Sequence, residues 1–168
     1  REGTIFFPAH STHHVTATVN FEELATAFEQ LGDKYKPISV CIYWKDYNLG
    51  HHKVFKEKGF KIISAGHMFD PLFLFRLYHL CSMHKYSASN ELGSHLFYSV
   101  KAGCLFFFIN YKQAVRKAQK NILERDTSTP DQEIVSKLVT LFSRPTDKLT
   151  NEQLNTVDNY LGVKYLKT

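Results

Sequence analysis

The sequence predicts an α/β fold, a three-layer domain in which helices cover both faces of a parallel sheet of about five strands. Two observations lead to this prediction. Short β-rich runs alternate with segments of helical period, as in βαβ units. The run 104–109 is apolar without interruption, and 37–44 is apolar except for Ser39, as expected for strands that are buried on both faces. We find no internal repeat or linker, so residues 1–168 are expected to form one domain.

The first half of the chain supplies three strands and two helices. A strand is predicted over 4–8. Asn20, followed by a glutamate three residues later, has the sequence of a helix N-cap, and apolar residues recur at helical spacing from Phe21 until Gly32 ends the helix. The buried strand over 37–44 follows. A polar helix over 50–58 then leads into a strand over 60–64.

The second half completes the sheet and then becomes helical. Asp70 and Pro71 have the chemistry of a helix start, and a strand over 86–89 leads into a helix that opens at 90–94. The strand over 104–109 follows. Additional helices are predicted over the basic segment 112–125, over 130–143 after a capping box at Thr129, and over 150–162 after one at Thr150. The carboxyl ends of parallel strands share one edge, so the fold is expected to be Rossmann-like, with ligands at that edge.

Composition narrows the range of functions. The 168 residues include 21 Lys and Arg against 16 Asp and Glu, and the net charge of +5 favours anionic ligands such as phosphates without indicating nucleic acid. Three cysteines without C-x-x-C spacing predict free thiols. The apolar runs are much shorter than the roughly 20 residues of a membrane span. Because the chain begins at Arg1 and has no signal peptide, we expect a fragment of a longer protein.

The segment that follows the fourth predicted strand is the most informative candidate site. It contains five candidate ligand-binding residues: Ser89, Asn90, Gly93, Ser94 and His95. A strand that turns into a helix exposes unpaired backbone N–H groups at the positive helix end, which suits a phosphate or diphosphate. A cap at Ser89 or Asn90, with close packing at Gly93, would explain the same residues. The sequence has neither a Walker loop nor a G-x-G-x-x-G fingerprint, which argues against P-loop NTPases and NAD dehydrogenases.

Histidines in two other loops at the same predicted edge are further candidates. His10, Ser11 and His13 follow the first strand, and their spacing leaves metal binding, general-base catalysis and phosphate contact open. His67 lies in the turn before the helix that Asp70 is expected to cap. No order of Ser, His and Asp typical of a nucleophile elbow is present, so hydrolase chemistry of that kind has no support.

Two segments resemble a known family. Residues 86–109, YSASNELGSHLFYSVKAGCLFFFI, resemble the late βαβ unit in the carboxy-terminal, donor-binding domain of GT-B glycosyltransferases. Together with GHMFDP at 66–71, they are more particularly similar to transferases that build bacterial surface polysaccharides. The resemblance implies that Ser89, Asn90, Gly93 and Ser94 lie against the donor's phosphates, with His67 near its base or ribose. It also implies that His10 and Ser11 face an interdomain cleft.

The resemblance further implies the partners of the domain. These are a nucleotide-sugar donor, a glycan or lipid-linked acceptor, and a missing N-terminal domain, without which this half binds but does not turn over. No metal or other cofactor is expected, and the location is cytoplasmic, with the inner face of the membrane as an option. Two alternatives remain open: a non-catalytic flavodoxin-like interaction domain, and a nucleotide-sugar epimerase-like enzyme in which Glu91 would be tested first. The basic residues 112–120 suit a membrane or partner contact, or a solvated face.

Overall fold

A computed structural model describes residues 1–12, 15–111, 115–118 and 131–165. The strands are β1 (Thr4–Phe7), β2 (Val15–Thr18), β3 (Ile38–Cys41), β4 (Lys61–Ile63), β5 (Tyr86–Ser89), β6 (Leu105–Phe108) and β7 (Val115–Ala118). The helices are α1 (Phe21–Glu29), α2 (Trp44–Asn48), α3 (His52–Glu57), α4 (Phe73–Met83), α5 (Ser94–Lys101), α6 (Gln132–Leu141) and α7 (Asn151–Tyr160), with short 3-10 helices at Asp33–Tyr35 and Val163–Tyr165.

Five strands form one parallel sheet in the order β4-β3-β1-β5-β6. Counted along the chain, this is the order 3-2-1-4-5 of a Rossmann-like sheet, and the direction in which strands are added reverses between β1 and β5. The predicted α/β fold with five parallel strands is therefore confirmed.

Alternate side chains of β1 point to the two faces of the sheet, as the pleat requires. Phe6 packs in a core cluster with Leu24 and Phe28 of α1. Ile5 and Phe7 pack in another cluster, with residues of α4 that include Leu77. Contacts of α1 with α3, and of α4 with α5, complete the two helical layers.

The C-terminal helices cover the outer part of the sheet. Phe106 and Phe108 of β6 pack with Leu138 of α6 and with Phe142, the residue that directly follows α6. They also pack with Val157 of α7. The predicted capping box at Thr150 is present at the start of α7. The capping box predicted at Thr129 lies outside the described part of the chain. The N-cap of α6 is Asp131, whose carboxylate accepts from the Glu133 amide.

Two segments differ from the prediction. Residues 115–118, expected to be helical, form β7, which pairs antiparallel with β2. The rest of the basic segment 112–125 lies outside the described residues. This pairing joins residues about a hundred positions apart, so local helical period carries no signal of it. Trp44, expected at the end of a strand, begins α2, because β3 ends at Cys41.

Candidate functional site

A cavity of about 190 Å³ lies at the carboxyl ends of β1, β3 and β4. Its wall comes from the loops after these strands and from the first turns of α4 and α5. Most of the wall is apolar, including Phe7, Ile42, Ala65, Phe73 and Leu77. The cavity lies beside the point where strand order reverses between β1 and β5, which is the usual ligand position in open α/β sheets.

Four of the predicted site residues line this cavity: His10, Ser11, Ser94 and His95. His67 lies next to the wall, since its neighbours Gly66 and Met68 line the cavity, and its ring stacks on Trp44 with 5.6 Å between centroids. His13 lies outside the described residues. The structure thus brings together residues from two predicted loops, with a third adjacent.

Ser89 and Asn90 lie behind the cavity wall, not in it. The Asn90 Oδ1 accepts from the backbone amide of Ala9 at 2.8 Å. The Ser89 hydroxyl bonds the carbonyls of Phe7 and Glu91 and accepts from the Glu91 amide. Both side chains are almost completely buried. They therefore join the loop after β5 to the loop after β1. Neither side chain caps α5, whose N-cap is Gly93.

The loop after β1 is also held from its other side by Asp46 of α2. The buried Asp46 carboxylate accepts from the Ser11 amide at 2.9 Å and from the Ser11 hydroxyl at 2.7 Å. His51 Nδ1 lies 3.1 Å from the same carboxylate. The Lys45 ammonium donates to the Thr12 carbonyl at 2.7 Å. These bonds fix the backbone that carries His10.

Gly93 makes room for the His95 ring. A Cβ at position 93 would lie 2.7 Å from His95 Cε1 and 2.8 Å from Nδ1, closer than side-chain atoms approach. The backbone φ of Gly93 is −164°, an extended conformation that any residue adopts. The glycine is therefore required for space and not for backbone freedom. On the other side, the Phe7 ring stacks on His95 at 5.2 Å between centroids.

His95 is buried and neutral. Desolvation lowers its pKa from 6.5 to about 3, with a smaller contribution from the nearby His10 in the same direction. The Glu91 backbone bonds the ring and opposes this shift. Within the described part of the chain, Nε2 has no hydrogen-bond partner. The bond to Glu91 is therefore made by Nδ1–H, and Nε2 keeps a free lone pair.

A second polar atom of the cavity wall is also without a partner. The Tyr43 hydroxyl is buried and bonds to none of the described residues. The ring is held edge-on to His10, at 5.7 Å between centroids. A buried polar atom without a partner costs about 1–3 kcal/mol. A sequence pattern cannot reveal that two such atoms lie in the wall of one cavity.

The first turn of α5 opens beside these atoms. Its N-cap is Gly93, which has no side chain, and no side-chain cap is formed. The Leu96 amide donates to the Gly93 carbonyl, so the amides of Ser94 and His95 are the ones available to an anion. The positive end of the helix favours negative charge there. Ser94, the first helical residue, is exposed and lines the cavity.

Asp70, expected to cap α4, bonds the backbone of the turn that directly precedes the helix. Its carboxylate accepts from the Leu72 amide and pairs with Arg76, and these two contacts lower its pKa. The helix itself begins at Phe73. Arg76 also bonds the Ala65 carbonyl at 2.9 Å, so this pair ties the start of α4 to the loop after β4.

Within the described ranges, no three His, Cys, Asp or Glu side chains are grouped as metal ligands. No helix in the same ranges is both long enough and apolar enough to cross a membrane.

Comparison of this chain with protein-family models, with curated proteins and with solved structures gives no match.

Proposed function

We propose that this domain binds the nucleotide-sugar donor of a glycosyltransferase, with the donor diphosphate at the first turn of α5. The observation that carries the proposal is the position of the cavity. It lies beside the reversal point of a Rossmann-like sheet and reaches a helix N-terminus that no side chain caps. Phosphates bind at such helix ends because backbone amides and the helix dipole both favour the anion.

The chemistry of the wall supports a ligand with an anionic end and a neutral end. The Ser94 hydroxyl and the amides of Ser94 and His95 would bond phosphate oxygens. The remaining wall is mainly apolar and contains the neutral His95, so the part of the ligand that enters the cavity carries no charge. A nucleotide-sugar has both parts.

The proposed reaction assigns electrostatic stabilisation to this half of the enzyme. When the bond between sugar and diphosphate breaks, negative charge grows on the departing nucleotide. The fixed amides of α5 would stabilise that charge without reorganisation, and the reaction would need no metal. The hydrogen bonds of Asp46 and Asn90 hold the neighbouring loops rigid, as preorganisation requires.

The resemblance to GT-B transferases of bacterial surface polysaccharides supplies the rest of the proposal. A second, N-terminal domain would bind a glycan or lipid-linked acceptor and contribute the acceptor base. This domain alone would bind donor without turnover. We place the enzyme in the cytoplasm, at the inner face of the membrane where lipid-linked acceptors are found.

Thermal unfolding and calorimetry with a nucleotide panel test the proposal. The panel contains UDP, GDP, CMP, ADP, dTDP and their sugars at millimolar concentration. A ligand that binds only the folded protein raises the Tm. We expect selective stabilisation by one nucleotide and its sugars.

A charge placed at the helix end identifies the phosphate position. Ser94→Asp adds an anion where a helix favours one, so the free protein should keep or raise its Tm. The same anion repels phosphate, and we expect nucleotide affinity to fall at least about tenfold. Asn151→Asp is the matched control, because it makes the same kind of change at the first residue of α7, away from the cavity.

Two results would argue against the proposal. If no nucleotide or nucleotide-sugar binds the wild-type domain, donor binding by this half is wrong and the interaction-domain alternative gains support. If a nucleotide binds Ser94→Asp as tightly as the wild type, the phosphate lies elsewhere. Conversion of a free nucleotide-sugar to its epimer by the domain alone would favour the epimerase alternative.

A further inference from the structure

Two polar atoms of the cavity wall have no partner among the described residues: His95 Nε2 and the Tyr43 hydroxyl. Both side chains line the same cavity, and the rest of its wall is mostly apolar. His95 is 9% exposed, so its ring is more than nine-tenths buried. Buried polar groups in native structures are nearly always bonded, and groups that are not require an explanation.

The protonation state of His95 limits what can bind to it. Burial keeps the imidazole neutral, and Nδ1–H is used by the Glu91 backbone. The free Nε2 is therefore an acceptor only. It cannot bond a phosphate or carboxylate oxygen, and it requires an O–H or N–H from the ligand.

The position of His95 selects between those two donors. His95 is the second residue of α5, directly after Ser94 at the proposed phosphate position. In a nucleotide-sugar, each phosphorus is esterified to a sugar carbon, whereas the base is separated from the phosphate by the whole ribose. The group within reach of His95 is therefore a sugar ring, which offers hydroxyl groups along its edge and C–H groups on its faces.

We infer that His95 Nε2 and the Tyr43 hydroxyl recognise hydroxyl groups of a sugar ring of the donor. This inference rests on the proposed function, since the phosphate position orients the ligand. Nε2 accepts from one ring hydroxyl, and the Tyr43 hydroxyl, which both donates and accepts, bonds a ring hydroxyl as well. The ring that binds is either the ribose or the transferred sugar.

Nitrogen NMR of the whole chain, with 15N-labelled histidine, tests the inference on the unmodified protein. At neutral pH we expect the His95 spectrum of the Nδ1–H tautomer. Each nucleoside diphosphate of the panel, its 2′-deoxy form and its nucleotide-sugar are then added. A change in the Nε2 shift with the diphosphate alone that is absent with the 2′-deoxy form identifies the ribose. A change that appears only with the nucleotide-sugar identifies the transferred sugar, and either result supports the inference.

Two substitutions of His95 separate the role of Nε2 as an acceptor from the structural hydrogen bond that Nδ1–H makes with the Glu91 backbone. His95→Asn keeps an N–H donor near the Nδ1 position for Glu91 but removes the acceptor at Nε2. His95→Gln places an amide oxygen near the Nε2 position. We expect nucleotide or nucleotide-sugar affinity to fall about 10- to 100-fold in His95→Asn, the loss of a buried hydrogen bond. His95→Gln should recover most of that loss, which a purely structural role would not do.

Tyr43→Phe is an independent test, in which the stability of the free protein and the affinity for the ligand should change in opposite directions. Removing an unsatisfied buried hydroxyl should raise the Tm of the free protein, while the loss of a ligand bond should weaken binding several-fold. Tyr160→Phe, which removes a hydroxyl from an exposed tyrosine of α7, should change neither.

Failure of this inference can be told from failure of the proposed function. If a nucleotide shifts the Ser94 amide but leaves Nε2 unmoved, and His95→Asn binds as well as the wild type, the donor site stands and the sugar contact is wrong. If no nucleotide binds, ribose, glucose and N-acetylglucosamine are added alone at tens of millimolar. A shift of Nε2 then supports sugar recognition without the nucleotide, and no shift overturns it.

Discussion

At position 46, one buried carboxylate determines the path of the loop after β1. It accepts from the Ser11 amide, the Ser11 hydroxyl and His51. The sequence gives no sign of these partners, because Ser11 is 35 residues away. The role of this side chain is therefore a product of tertiary structure.

Asp46→Ala should leave the Ser11 amide buried without an acceptor. We expect a loss of roughly 2–4 kcal/mol in the free energy of unfolding, from two or more lost bonds to a charged group. Urea denaturation measures it. Asp33→Ala is the control, since its ion pair with Lys36 is fully exposed on the aspartate side and its loss should have no measurable effect. Equal effects of the two substitutions would contradict the prediction.

Gly93→Ala tests the space that His95 occupies. The new Cβ would lie 2.7 Å from the ring, so the ring or the loop must move, at a cost of about 1–3 kcal/mol. Gly32→Ala is a matched control, because no atom lies within 4 Å of its Cβ position and its φ of −59° suits alanine. That change should leave stability unchanged or raise it by up to about 1 kcal/mol in urea denaturation.

The lowered pKa of His95 predicts how stability depends on pH. Below about pH 6.5 the unfolded chain gains a proton at this histidine and the folded protein does not, until about pH 3. Stability is therefore greatest above pH 6.5 and falls by about 2 kcal/mol between pH 7 and pH 5 from this group. His84, whose pKa is also lowered by burial, adds to the slope. In urea titrations, His95→Gln should flatten the dependence without removing it, and an unchanged slope would contradict the assignment.

For individual helices, local sequence patterns predicted where a helix begins and ends better than how much of its surface is exposed. The sequence of α4 is apolar almost all round, as in a buried helix. In the structure Leu77 and Cys81 face the sheet, while Phe75 is 73% and Tyr78 59% exposed among the described residues. Periodicity identifies a helix, but its exposure depends on which neighbours the sheet provides.

The capping box of α7 is an element-scale feature that the sequence predicted correctly. The Thr150 hydroxyl accepts from the Gln153 amide, and the Gln153 side chain bonds back to Thr150. Thr150→Ala should cost about 1 kcal/mol in the free energy of unfolding. Thr26→Ala, at an exposed position inside α1, should cost nothing because alanine is the better helix former. A loss at Thr26 as large as that at Thr150 would argue against the cap.

For the whole molecule, the C-terminal helices and the sheet share one core. Phe142 is completely buried against Phe106, with ring centroids 5.7 Å apart, and its carbonyl accepts from the Phe108 amide. This packing predicts that α6 and α7 unfold together with the sheet.

Phe142→Ala should therefore lower the stability of the entire domain by about 3–5 kcal/mol. Calorimetry should show one transition moved to lower temperature, not an added early one. Phe75→Ala is the control, since that ring is mostly exposed and its removal should shift the transition far less. A separate early transition would mean that the helices form an independent unit.

The sequence by itself determined the class of the fold and the edge of the sheet at which the cavity lies. Unbroken apolar runs, capping residues and glycines act over a few positions, so they specify five of the strands, most of the helices and the loops at the carboxyl edge. Ser11, Ser94 and His95 came from this reasoning and line the cavity.

Only the tertiary structure decided the order of the strands and the pairing of β2 with β7. It also decided which of the predicted residues line the cavity and which support its loops. Asn90 and Ser89 support the loops, while His95 presents a free acceptor to the cavity. The physical reason is distance along the chain. The Ala9–Asn90 bond joins residues 81 positions apart, and burial of His95 depends on rings from β1 and β6. Such interactions form only when the sheet brings distant segments together, and local propensity does not encode them.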